Sequence, residues 1–134
     1  MTTESSGAAT GPVRALLGLE GICVFAMATY IYAHGEHSWM LFAVLFLLPD
    51  VSFAAYVAGP RFGAFGYNLM HSYAGPLLLA VAFLATGRPP ILALIWGAHI
   101  GFDRLLGYGL KYPSGFGDTQ LGVIGRRDRS RPAA

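Results

Sequence analysis

His99 and Asp103 lie four residues apart in the stretch Ala98-His99-Ile100-Gly101-Phe102-Asp103-Arg104, near the end of an apolar run that follows Pro89-Pro90. On a helix, that spacing stacks both side chains on one face. An imidazole and a carboxylate inside a hydrophobic segment are costly unless each has a partner. Glu20, Asp50 and His71 each sit inside another apolar run and are the available partners. Two histidines with two or three carboxylates form an adequate ligand set for a divalent ion such as zinc, manganese or iron. Such an ion is a Lewis acid that activates water near neutral pH. In this reading Asp50, His71, His99 and Asp103 bind the metal, and Glu20 is the general base or a fifth ligand. The same residues also suit a proton relay, or a buried hydrogen-bonded network that only holds helices together.

The elements that must position these residues follow from composition. Hydrophobic residues make up 54% of the 134 residues and charged residues only 12%, about half the charged share of an ordinary soluble domain. Mean hydropathy is positive. The chain reads as an all-α polytopic membrane protein, a four-helix transmembrane bundle with a short, partly ordered C-terminal segment. The formal charge of +2 makes no case for nucleic acid; the expected partners are membrane lipid and a small amphiphilic substrate. One cysteine, Cys23, excludes an intramolecular disulfide and a multi-cysteine zinc site, and a small thiol within an apolar helix is its simplest reading.

Residues 1–12 read as a disordered polar tail, residues 13–111 as the four-helix domain, and residues 112–134 as a glycine-rich segment with a basic tail. The first span runs from Val13 to about Ala33. After the turn His34-Gly35-Glu36-His37, Ser38 caps a second span to about Ala58, which Pro49 should kink near Leu45 or Phe46. The third runs from about Phe62 to Thr86. The fourth opens at Pro90 or Ile91 and ends near Lys111. The N-terminus lacks the basic start of a signal peptide, so the first span is expected to be retained. Arg14, Arg61 and the region from Lys111 to Arg131 fall on one side, which predicts a plasma (inner) membrane protein with both termini cytoplasmic.

Depth ties the polar residues together. At ~1.5 Å per residue from the cytoplasmic ends, Glu20, Asp50 and Asp103 lie ~12 Å inside, His71 ~15 Å and His99 ~18 Å. All five are therefore expected to converge in one layer. Arg104, adjacent to Asp103, should face elsewhere and reach lipid phosphate. Lys111, with Tyr108 and Tyr112, reads as an interfacial anchor or as the counter-charge of a phosphate-facing mouth. Asn68 and Ser72 are candidates to support the metal ligands, and Asp118 to fold back as a lid residue. His34 and His37 are loop histidines with no specific task.

Several runs resemble a known family. They are Leu48-Pro49-Asp50-Val51-Ser52, Tyr67-Asn68-Leu69-Met70-His71-Ser72-Tyr73, Trp96 through Pro113, Gly115-Phe116 and Asp118-Thr119-Gln120-Leu121-Gly122. Together they resemble the domain of unknown function 4260 family of small bacterial integral membrane proteins, over roughly residues 13–125. In that family a histidine commonly follows the Asp-Thr pair; Gln120 stands there in this chain, which argues against a metal ligand at that position. A more distant similarity, limited to Asp50 and His71-Ser72, is to membrane-bound metal-dependent hydrolases. The readings carried forward are a metal-dependent hydrolase acting on an amphiphile, a proton-coupled transporter or accessory protein, and a non-catalytic structural protein.

Overall fold

The computed structural model describes residues 7–114 and 116–123. The expected tails at 1–6 and 124–134 lie outside the described residues. The chain is mostly helical, in the order α1 (Gly11–His34), α2 (Trp39–Phe46), a 3₁₀ helix (Leu48–Ala58), α3 (Pro60–His71), α4 (Ala74–Ala85) and α5 (Ile91–Leu106). A small antiparallel hairpin follows, β1 (Asp118–Thr119) and β2 (Gly122–Val123).

Two segments are long and apolar enough to cross a membrane, α1 and the rod Trp39–Ala58; the bent α3–α4 pair makes a third when taken as one span. Large apolar side chains along these segments face outward, among them Leu19, Met27, Val44 and Leu78. α5 is shorter: its 16 residues cover about 24 Å at 1.5 Å per residue. It is also the most enclosed helix, burying Ile95, Ala98, His99, Ile100 and Arg104. α1, α2 and α4 pack on it, while α3 packs on the 3₁₀ helix.

Close approach of α1 and α5 depends on glycine. A Cβ on Gly101 would lie 2.6 Å from the Gly21 carbonyl oxygen, and one on Gly21 would lie 2.7 Å from the Gly101 carbonyl oxygen. Small residues let two membrane helices meet backbone to backbone.

Two prolines break the helices. Pro49 cannot accept a continuous helix through Leu45, and α2 accordingly stops at Phe46, with 3₁₀ geometry beyond. Ser38 caps α2 as expected, its hydroxyl accepting from the Leu41 amide at 3.3 Å. Pro76 acts in the same way on the Ser72 carbonyl. The expected third span is therefore two helices that meet at 42° across Ser72-Tyr73, with Ser72 in extended geometry. The expected fourth span ends early, at Leu106 rather than Lys111, because Gly107 takes a left-handed conformation (φ 88°). Tyr108 N–H then closes on the Asp103 carbonyl at 2.8 Å, the bonding pattern of a Schellman cap.

Past that cap the chain folds back on the bundle. Lys111 forms an isolated antiparallel bridge to Thr119. The Ala9 amide donates to Gln120 O at 2.6 Å and Arg14 Nε donates to Leu121 O at 2.6 Å. Leu121 is buried as a result.

Candidate metal centre

The two proline breaks and the α5 face deliver four side chains to one point. Asp50 follows Pro49 in the first turn of the 3₁₀ helix, His71 is the last residue of α3, and His99 and Asp103 are one turn apart on α5. One ligand atom from each lies within 4.8 Å of every other. His71 Nε2 is 3.3 Å from Asp50 Oδ1 and 3.4 Å from Asp103 Oδ2. His99 Nε2 is 3.4 Å and 3.3 Å from the same two oxygens. The two Nε2 atoms are 3.1 Å apart.

These separations can be set against what a proton network and an ion site each require. Charge-assisted hydrogen bonds between imidazole and carboxylate shorten to about 2.7–2.9 Å. A tetrahedral ion with bonds of about 2.0–2.1 Å instead holds its ligand atoms about 3.3–3.4 Å apart. Four of the five distances that involve an imidazole nitrogen fall in that range and the fifth is close to it, while the two carboxylate oxygens lie within 4.8 Å of each other.

The tautomer of His71 agrees. Its Nδ1 is 2.9 Å from the Tyr67 carbonyl, which only accepts, so Nδ1 carries the proton and neutral Nε2 presents a lone pair to the centre. The Tyr67 ring stacks on the imidazole at 3.8 Å between centroids and 9° between planes. His99 Nδ1 is buried with no hydrogen-bond partner among the described residues, and its ring meets Phe46 edge-on at 5.2 Å. The donor set, two imidazoles and two carboxylates, fits zinc first and manganese or iron next.

Both histidines are shielded, whereas Asp50 is 42% exposed. The exposed side opens into a cavity of about 310 Å³ lined by Asp50, Asp103, Phe53, Tyr67, Tyr108, Lys111 and Phe116.

Residues 14–124 match the family described as Domain of unknown function (DUF4260). The chain belongs to the DUF4260 family. No match was found among curated proteins or among solved structures.

Of the five residues expected to converge, this DUF4260 chain brings together Asp50, His71, His99 and Asp103. Glu20 does not join them: it is exposed on α1. Its angle about the helix axis turns it away from the other four. Gly21 faces α5, and the preceding residue is turned about 100° away from that contact.

Arg104 departs from expectation in the opposite direction. It is buried, and its guanidinium donates to His71 O and to Tyr108 O, both at 2.7 Å. The reason lies in Pro76. Ending α3 at His71 leaves its last carbonyls without helical partners, and α5 supplies two replacements. Trp96 Nε1 donates to Met70 O at 2.6 Å, and Arg104 takes His71 O.

Lys111 is likewise buried, and burial lowers its ammonium below the usual lysine value, with Asp103 opposing. Asn68 holds its backbone from both sides: the amide donates to Lys111 O at 2.8 Å and its oxygen accepts from Lys111 N–H at 2.6 Å. Asp118 accepts from Ser114 at 2.8 Å and does not line the cavity at the cluster. Gln120 is occupied by the Leu110 amide at 3.0 Å.

Proposed function

We propose that this DUF4260 protein is a multi-pass membrane protein whose Asp50, His71, His99 and Asp103 hold one divalent cation, and that it hydrolyses an amphiphilic substrate near the cytoplasmic leaflet. Four spans follow: α1, the rod Trp39–Ala58, the bent α3–α4 pair and α5, with both termini cytoplasmic. The observation that carries the metal reading is the set of near-equal 3.1–3.4 Å separations around two imidazole nitrogens and two carboxylate oxygens. A cation there supplies a Lewis acid. The chain's own contribution is to fix both imidazoles by packing, to exclude water from their side, and to leave the carboxylate side open to the cavity. Zinc is the ion favoured by the ligand set, ahead of manganese and iron.

A proton path is the second reading, and α4 weighs against it. Its stretch Leu77 to Ala85 carries no polar side chain to continue a relay outward. The test is thermal unfolding in detergent with and without chelator, for wild type, His99→Ala and Asp103→Ala. The metal reading predicts a chelator-sensitive midpoint for the wild type and chelator-insensitive midpoints for both variants. A wild-type protein indifferent to chelator and to added zinc or manganese would leave a structural network or a proton path.

A further inference from the structure

We infer that the cavity beside the cluster is a subsite for a phosphoryl oxyanion, held between the cation at Asp50 and Asp103 and the ammonium of Lys111. The inference rests on the metal reading and extends it to a substrate class.

Charge balance is the first support. The two carboxylates formally cancel a divalent ion, and both histidines are neutral as ligands. Lys111 then remains as an uncompensated positive charge lining the same cavity. It is only 4% exposed, and the described ion pairs give it no carboxylate partner. An ammonium so placed favours an anion that enters the cavity with it.

The second support is how firmly Lys111 is held. Asn68 fixes its backbone, and Nζ donates to Phe116 O at 2.7 Å. The ammonium also lies 3.6 Å from the Phe116 ring centroid and 4.8 Å from that of Tyr67. The Phe116 carbonyl is the one hydrogen-bond acceptor that Nζ meets among the described residues, and an ammonium carries three N–H donors. A surface anchor needs no such framework.

Shape and place are the third. About 310 Å³ is at the small end for ligand pockets, suited to a headgroup with its apolar remainder outside. Phe53 and Phe116 are partly exposed at the rim, which suits an amphiphile. Lys111 follows the end of α5 by five residues. A phosphoryl group has several non-bridging oxygens, so one can face the cation while another accepts from Lys111.

The experiment titrates methylphosphonate into full-length, zinc-loaded protein in neutral detergent, with acetate as control, for wild type, Lys111→Met and Lys111→Arg. Metal content is measured on the same samples. Saturable methylphosphonate binding is expected in the wild type, at least about tenfold weaker in Lys111→Met, and largely retained in Lys111→Arg, with acetate far weaker throughout. Vesicles of phosphatidylcholine with and without phosphatidic acid identify the source. Competition by phosphatidic acid assigns the subsite to a lipid headgroup, and its absence assigns it to a soluble phosphate ester. Zinc-loaded wild type that ignores methylphosphonate, or prefers acetate, overturns this inference alone; the wild-type preference holds as a test even if Lys111→Met misfolds. Protein that takes up no zinc overturns the metal reading and this one together.

Discussion

His34 and His71 make the same local structure and have different fates. Each ends an α-helix, each follows a tyrosine by four residues, and each Nδ1 donates to that tyrosine's carbonyl, at 2.8 Å to Tyr30 and 2.9 Å to Tyr67. Each ring also packs on the tyrosine, at 4.1 Å and 3.8 Å. His34 nevertheless stands exposed, whereas His71 is buried, with Asp50, Asp103 and His99 around its Nε2. The Tyr-x-x-x-His motif orients an imidazole and fixes its tautomer. It does not make a site. That comes from α5, which carries His99, Asp103 and the Arg104 cap to His71, and from Asp50 in the first turn of the 3₁₀ helix.

Breaking the long-range part should therefore cost far more than breaking the local part. The largest effect is expected from His71→Ala or His99→Ala, each of which should abolish metal-dependent stabilisation. For the wild type that stabilisation is about 4 kcal/mol at a thousandfold excess of metal over Kd, read as a shift in thermal midpoint. Next, Gly101→Leu should lower stability by about 1–3 kcal/mol through overpacking against α1, although it touches no ligand. Denaturation in mild detergent checks this, and an unchanged midpoint would mean that α1 and α5 are not in close contact.

Arg104→Ala should then cost about 1–3 kcal/mol by leaving the His71 and Tyr108 carbonyls unpaired. It should also weaken metal affinity about 10–100-fold by loosening the end of α3. Competition with a metal indicator separates the two, since a purely structural role changes stability and leaves affinity alone. At the small end, His34→Ala should change stability by no more than about 0.5 kcal/mol and leave metal binding untouched. A loss of metal in that variant would erase the contrast between the two histidines.

Much of the site was legible because a charged group inside an apolar run has few affordable positions. Counting residues from the segment ends placed Asp50, His71, His99 and Asp103 at one depth, and these four meet. The count could not supply the angle about each helix axis, and Glu20 shows the consequence: Gly21, not Glu20, occupies the α1 face against α5. The Pro49 break was legible from its missing N–H and the clash one turn back. Pro76 imposes the same constraint, yet the apolar pattern runs unbroken through it and reads as one span. The roles of Arg104 and Lys111 were hidden because their partners are backbone carbonyls and aromatic faces. A sequence pattern displays neither. The hairpin after Lys111 was equally obscure, since strands of two residues are too short to leave a periodicity.

The most direct measurement is the metal content of purified full-length protein after equilibrium dialysis against zinc, for wild type, His99→Ala and His34→Ala. The account predicts one zinc per chain in wild type and in His34→Ala, and none in His99→Ala. Equal zinc in all three, or none in the wild type, would contradict it.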